Sequence, residues 1–451
     1  MATPVIVTRK TRETEIERNR FLFTENDLPG FDGKSDLPAF LREYRLKAWN
    51  LFQTIPMPST NDEAWRRTDL RGLRASELTL RTELSKRNSR PPRNLLRPLV
   101  GKKHGGQIIL VPTHQTTDQV SEEWRKQGIL FEDLRTAQRD HADFLATAMG
   151  QIVRPEEGKF AALATAFAED GVIVYIPRGI RLKEPLHSVV WSPGVRLARF
   201  TRLLIWVDDD AELTFVHEVA SPDQSEGQSF HAGIVEIHVG KGSHLTFVEM
   251  QSWGNDVWNF THERARVDRD GTLDWIFGSV GSQLTKTFME IDLVGEGATG
   301  KMSGFYFTNG NQHLDHDTQQ NHFAPHTTSD LLFKGALQDR SRSVWQGMIY
   351  VAPGAQKTDG YQANRNLTLS PQARADSIPG LEIMADDVRC THGATVGKVD
   401  EEQLFYLLSR GIPRKEAIRL IVEGFFEPIM ERVPYGGVRQ RFRTAIKQKI
   451  G

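Results

Sequence analysis

The sequence predicts a mainly β protein, a β-helix or other β-solenoid lying between two helical regions. Three observations carry this expectation. First, Leu213-Thr214-Phe215-Val216-His217-Glu218 recurs as Leu245-Thr246-Phe247-Val248-Glu249-Met250. Second, Gly271 to Phe277 and Gly300 to Phe307 continue the series at intervals of roughly 30 residues. Third, the apolar period is helical at both ends of the chain and strand-like between them. A β-sandwich or a two-domain β protein also fits so loose a repeat. On this pattern residues 1–165 form an N-terminal helical or mixed domain. Residues 166–399 form the β core and 400–451 a C-terminal helical domain.

The elements follow in order. Leu37, Phe40, Leu41, Tyr44, Ala48 and Phe52 recur at helix spacing, with Asp36 near the start and Pro56 beyond the end. Ile108 to Val111 reads as a short strand among helical stretches. Phe160, Leu163, Ala164 and Phe167 form another helical stripe, closed by Asp170-Gly171 as a C-terminal cap. The β region then opens at Gly171-Val172-Ile173-Val174-Tyr175-Ile176-Pro177. Asp400 is a good N-cap, with Gln403 at the capping-box position and Leu404, Phe405, Leu407 and Leu408 following. Pro413 starts a second helix carrying Ile418, Ile421, Val422, Phe425 and Phe426. These two helices read equally as a cap on the last coil and as a docking surface.

Composition removes several function classes. The 451 residues are 39% apolar, enough for a large core. Their net charge of −1 gives no field favouring nucleic acid or an anionic membrane. The basic run from Arg87 to Lys103 contains Pro91 and Pro92 and reads as a solvated linker. Residues 1–20 carry no apolar signal region, and no run of about 18 apolar residues occurs. One cysteine cannot close an intrachain disulfide, which fits a reducing compartment. The expected location is the cytoplasm.

Three motifs bear on chemistry. Gly295-Glu296-Gly297-Ala298-Thr299-Gly300-Lys301-Met302 nearly matches a phosphate loop. Met302 stands where a hydroxyl is needed, and the following residues alternate like a strand, so no nucleotide site is expected. His313, His316, His322 and His326, with Asp315 and Asp317, could bind zinc or iron. His313 and His316 would lie on opposite faces of a strand, and solvated or turn histidines are expected instead. Finally Cys390, the lone cysteine, and His392 share one strand face, roughly 7 Å apart at Cα. They could be core fillers or half of a metal site. A metal site needs about four ligands, so the others would come from another chain. A Cys/His hydrolase would need a third orienting group that the sequence does not reveal.

The stretch Ala355-Gln356-Lys357-Thr358-Asp359-Gly360-Tyr361-Gln362-Ala363-Asn364-Arg365-Asn366-Leu367 resembles the SufB/SufD family of iron–sulfur cluster assembly scaffold proteins. So do Ser377-Ile378-Pro379-Gly380-Leu381-Glu382-Ile383, the run Asp386 to Gly397, Phe333-Lys334-Gly335 and Leu404 to Gly411. Upstream, Glu63-Ala64-Trp65-Arg66, Asp170-Gly171-Val172 and Pro177-Arg178-Gly179 look like the D-type member. The form Cys390-Thr391-His392-Gly393-Ala394-Thr395-Val396-Gly397 looks D-type rather than B-type. The match covers most of the chain and is densest from about residue 330 to 430.

The resemblance implies a right-handed parallel β-helix core with helical domains at each end. It implies pairing with a SufB-type paralogue through the β-helix, and a SufC-type ABC ATPase on the C-terminal helices. A transient iron–sulfur cluster would lie at the B/D interface, with no stably bound cofactor. Cys390 and His392 would stand at that interface, His392 as an iron ligand. Leu404, Phe405, Leu408, Ile418, Ile421, Val422, Phe425 and Phe426 would dock the ATPase. A homodimer in isolation is compatible with this. Such a chain is a scaffold and not an enzyme. The competing readings are a β-solenoid enzyme, either carbohydrate-active or a Cys/His hydrolase, and a zinc-binding module built on His313 to His326.

Overall fold

The fold is taken from a computed structural model, which describes residues 18–31, 37–81, 90–96, 105–112, 116–120, 122–224, 226–433 and 435–450. Asp36 and most of the basic run from Arg87 to Lys103 lie outside these residues.

Two sheets face each other, one of ten strands and one of nine. From Asp170–Ile176 to Arg389–Lys398 the chain alternates between them, laying one strand in each per coil. Successive strands within a sheet run parallel, as in Asp359–Thr368 against Arg389–Lys398. The result is a parallel β-solenoid of about 8 turns, and the parallel ladders exclude the β-sandwich. Among the described residues, antiparallel strand pairs occur only at the first end, where Thr116–Val120 lies on Gly106–Leu110 and Leu130–Asp133 on Asp170–Ile176.

The repeat seen in the sequence is this coil. Leu213 stands beside Leu245 and Leu245 beside Leu273. Phe215, Phe247, Trp275, Met302 and Leu331 form a second column, each in register with the next. All are fully buried. Burying such side chains contributes about 1.5–3 kcal/mol each, which ties every coil to its neighbours. One corner explains the turn residues. Asp210, Gly242, Asp270, Gly297, His326 and Lys357 each have a φ between 55° and 74°. Their amides link the corner coil to coil, Asp210 to the Lys241 carbonyl and Gly242 to that of Arg269. A left-handed turn residue is needed once per coil, and Gly or Asp fills it at low cost.

The N-terminal helices cover the outer face of the nine-stranded sheet. Ala39–Thr54 buries Leu41, Ala48, Trp49 and Phe52. Lys159–Phe167 is buried on nearly every side, and Phe160 stacks on Phe260 at 4.0 Å. The expected cap at Asp170-Gly171 is corrected. The helix ends at Phe167, with Ala168 extended, and Asp170 already begins a strand. Sheet pairing claims those residues before a capping turn can form.

Three helices follow the last coil: Glu401–Ser409, Arg414–Met430 and Gly436–Ile450. The Asp400 carboxylate accepts from the amides of Glu402 and Gln403, as a capping residue should. Val422, Phe426, Phe442 and Ile446 cover Val216, Val248, Ile276 and Phe305 on the ten-stranded sheet. Among the described residues no helix is long and apolar enough to cross a membrane.

Candidate functional site

Cys390 and His392 lie on Arg389–Lys398, the outermost strand of the ten-stranded sheet. Its register sets Cys390 beside Gly360 and His392 beside Gln362. Gly360, Gln362, Asn364 and Asn366 point inward and are buried, so Cys390, His392, Ala394 and Val396 face the same way. The expectation of one shared face holds. That face is the lumen side of the last coil, and this end of the solenoid is open.

No described strand pairs with the outer edge of Arg389–Lys398 or of Arg374–Ile383. His392 is exposed and Cys390 half-buried. Leu381, Ile383, Met384 and Val396 are 36%, 38%, 54% and 51% exposed, a concentration of apolar surface on a single coil. Two unpaired edges beside apolar surface make a template for another chain.

Cys390 rests against Ile349, Val351 and Ala355. Burial pushes its thiol up from the usual range, Asp359 adds to this, and a hydrogen bond from the Gly360 backbone opposes it. At neutral pH the group is therefore a thiol, which a bound metal would have to deprotonate. Beneath it the lumen is closed by amides. Gln362 Nε2 donates to the Gly380 carbonyl at 2.8 Å, and Asn366 Nδ2 donates to Asn364 Oδ1 at 2.6 Å.

The histidine-rich strand departs from expectation. His316 and His322 are not solvated but wholly buried in the lumen. His316 stacks on Tyr306 at 5.2 Å, and His322 bonds Thr327 and Ser329. Burial lowers these to about 3 and about 4, so both are neutral. His313 turns outward to Thr68 at 2.9 Å, and His326 occupies a corner turn. The strand alternation that separates them also prevents convergence on one ion. Among the described residues no three His, Cys, Asp or Glu side chains are grouped to hold a metal. The Gly295 to Ala298 segment is a corner turn leading into the strand Thr299–Thr308, which gives no helix N-terminus for a phosphate.

The C-terminal residues divide. Leu404, Val422 and Phe426 are at most 1% exposed and face the protein. Ile418, Ile421 and Phe425 are partly buried against the same cluster. Phe405 and Leu408 are 72% and 36% exposed. Tyr406 and Leu420, which the sequence did not single out, are also exposed. With Leu367, Ile421 and Phe425 they line a groove of about 860 Å³. Their exposure follows from how the two helices sit on the wall, which spacing alone does not give.

Residues 32–187 match the SufBD protein N-terminal region, and residues 191–425 match the SUF system FeS cluster assembly SufBD core domain. The iron–sulfur cluster assembly protein SufB of Bacillus subtilis is 29% identical over 438 residues, covering 94% of this chain and 92% of its own. An iron–sulfur cluster assembly SufBD family protein of Staphylococcus saprophyticus is 30% identical over 437 residues, with the same coverage of both chains. One of Staphylococcus epidermidis is 29% identical over the same length. With its core, its N-terminal region and 94% of its length matched in this way, the chain belongs to the SufBD family of iron–sulfur cluster assembly proteins.

Proposed function

We propose that this chain is a non-catalytic scaffold subunit of the D type, which pairs with a SufB-type paralogue and docks a SufC-type ABC ATPase. The observation that carries the reading is Cys390 and His392 on the open, unpaired end of a stiff solenoid. A partner solenoid meeting this end would gain edge hydrogen bonds and cover Leu381, Ile383, Met384 and Val396. The same edge could pair two copies when the paralogue is absent.

The cargo is a nascent iron–sulfur cluster. This chain brings one thiol and one exposed imidazole, so the partner would supply the remaining thiolates. His392 presents an exposed imidazole, a nitrogen ligand that suits iron, whereas burial holds Cys390 as a thiol that must first ionise. We therefore assign His392 the iron-ligand role and Cys390 a supporting one. The single cysteine supports the D-type assignment, since such a chain cannot hold a cluster alone. ATPase docking would use Phe405, Tyr406, Leu408 and Leu420, the exposed part of the C-terminal helices.

The test is iron and acid-labile sulfide measured on the reconstituted complex carrying His392→Ala. Loading is expected to fall while the complex stays assembled. Wild-type loading would remove the ligand role.

A further inference from the structure

Deep in the lumen, away from the open end, two carboxyl groups meet. Glu249 lies on His244–Ser252 and Glu263 on Val257–Val267, and each is 2% exposed. The two are within hydrogen-bonding reach of one another. Glu249 Oε1 accepts from Gln251 Nε2 at 3.2 Å. Glu249 Oε2 and both oxygens of Glu263 are buried and make no well-formed hydrogen bond, although the Trp275 indole stands near Glu249 and the Thr261 hydroxyl near Glu263. They border a cavity of about 20 Å³, which also touches His217, His231, Gln251, Thr201 and Thr261. That is room for about one water.

Two adjacent carboxylates without a cation cannot both stay ionised in such a place. The neighbours supply no positive charge. His217 stands in register beside Glu249, and burial holds it near 3. His231 lies near 4, fixed between Thr201 Oγ1 and Asn259 Oδ1. Arg202, which also borders the cavity, gives its guanidinium to Glu236 on the outer face. Arg199, on the coil before, is ion-paired with Asp170 at 3.0 Å. In the next coil, Phe277 and Met289 are the in-register neighbours, and both are apolar. No group of three metal-ligating side chains is present among the described residues. The missing positive charge is therefore a proton and not a metal ion.

We propose that Glu249 and Glu263 form a buried proton-binding site, in which one proton on Glu263 is shared with Glu249 inside the lumen. Burial raises both groups, and the charge on Glu249 raises Glu263 further, well above the ordinary glutamate range. Glu249 keeps the charge and accepts the bond. A carboxyl raised in the folded state stabilises fully below its unfolded pKa, and this is lost as pH rises through the folded value. The solenoid thus carries an internal element that weakens on alkalinisation, independent of the cluster site.

The experiment is infrared spectroscopy of the full chain with 13C-labelled glutamate, paired with thermal melting across pH. Wild type is expected to show a protonated glutamate carbonyl band at neutral pH. Glu263→Gln should lose that band, and Glu249→Gln should shift it. The melting temperature of wild type should fall as pH rises from the ordinary glutamate value of 4.5, while that of Glu263→Gln, which keeps the shape but cannot titrate, should fall less. A wild-type spectrum without a protonated glutamate overturns the proposal, and it needs no variant to fold. So does a band that neither substitution changes.

Discussion

Cys390 occupies the space that Gly360 leaves empty. A Cβ at position 360 would stand 3.3 Å from Cys390 Sγ and 3.3 Å from Ile349 Cγ2. The lone thiol is therefore seated by a missing side chain on the neighbouring strand. Gly360→Val should push Cys390 toward solvent and cost about 1–3 kcal/mol by overpacking. Alkylation of Cys390 at fixed pH should become faster. An unchanged rate would mean that the glycine does not set the exposure of the thiol.

Glu236 ties the N-terminal layer to the solenoid. It pairs with Arg202 and accepts from the amides of Gly150, Ile152 and Val153. Both charges are at most 1% exposed. Glu236→Ala would strand a buried guanidinium and three amides, at a cost of about 3–5 kcal/mol. The midpoint of urea unfolding should drop accordingly.

Gly278 admits the C-terminal helix. A Cβ there would lie 2.5 Å from Phe442 Cε1 and 2.7 Å from Phe305 Cε1. Gly278→Ala should cost about 1–3 kcal/mol and raise protease cutting in 436–450. Gly393→Ala, where the added carbon meets nothing within 4 Å, is the matched control.

Lys449 makes the same helix sensitive to pH. Its Nζ donates to Asn309 Oδ1 and Gln312 Oε1 at 2.7 Å, and burial lowers it from 10.5 to about 7. Between those values the unfolded chain binds more protons, so docking of the helix should strengthen as pH rises from about 7 toward about 10. Amide exchange in 436–450 should slow over that window beyond the intrinsic trend. Lys449→Met should flatten the effect.

Phe405 and Val422 separate docking from folding. Phe405→Asp alters a side chain that is 72% exposed and should change stability by less than about 0.5 kcal/mol. It should nevertheless reduce co-purification of a SufC-type ATPase. Val422→Asp buries an unpaired carboxylate and should destabilise the fold by several kcal/mol. Retained ATPase binding by Phe405→Asp would move the docking surface elsewhere.

The coil was legible because its signal is local. Leu213 and Leu245 carry the same alternation, so a one-dimensional stack shows itself as a period. The Cys390 and His392 pair was legible because strand alternation fixes which side chains share a face. The fate of His316 was not. A strand covered on both faces gives no alternation to show which polar side chains are buried, and His316 and Asp315 look alike in a linear reading.

The amino-acid order alone determined the period, the shared face of Cys390 and His392 and the family resemblance. Each depends on residues near one another along the chain. The folded molecule decided that this face opens at an uncapped end, that Leu404, Val422 and Phe426 point inward while Phe405 does not, and that Glu249 meets Glu263. These relations join separate strands and helices, and their energies come from burial and desolvation. Both are properties of the assembled volume and not of any local segment.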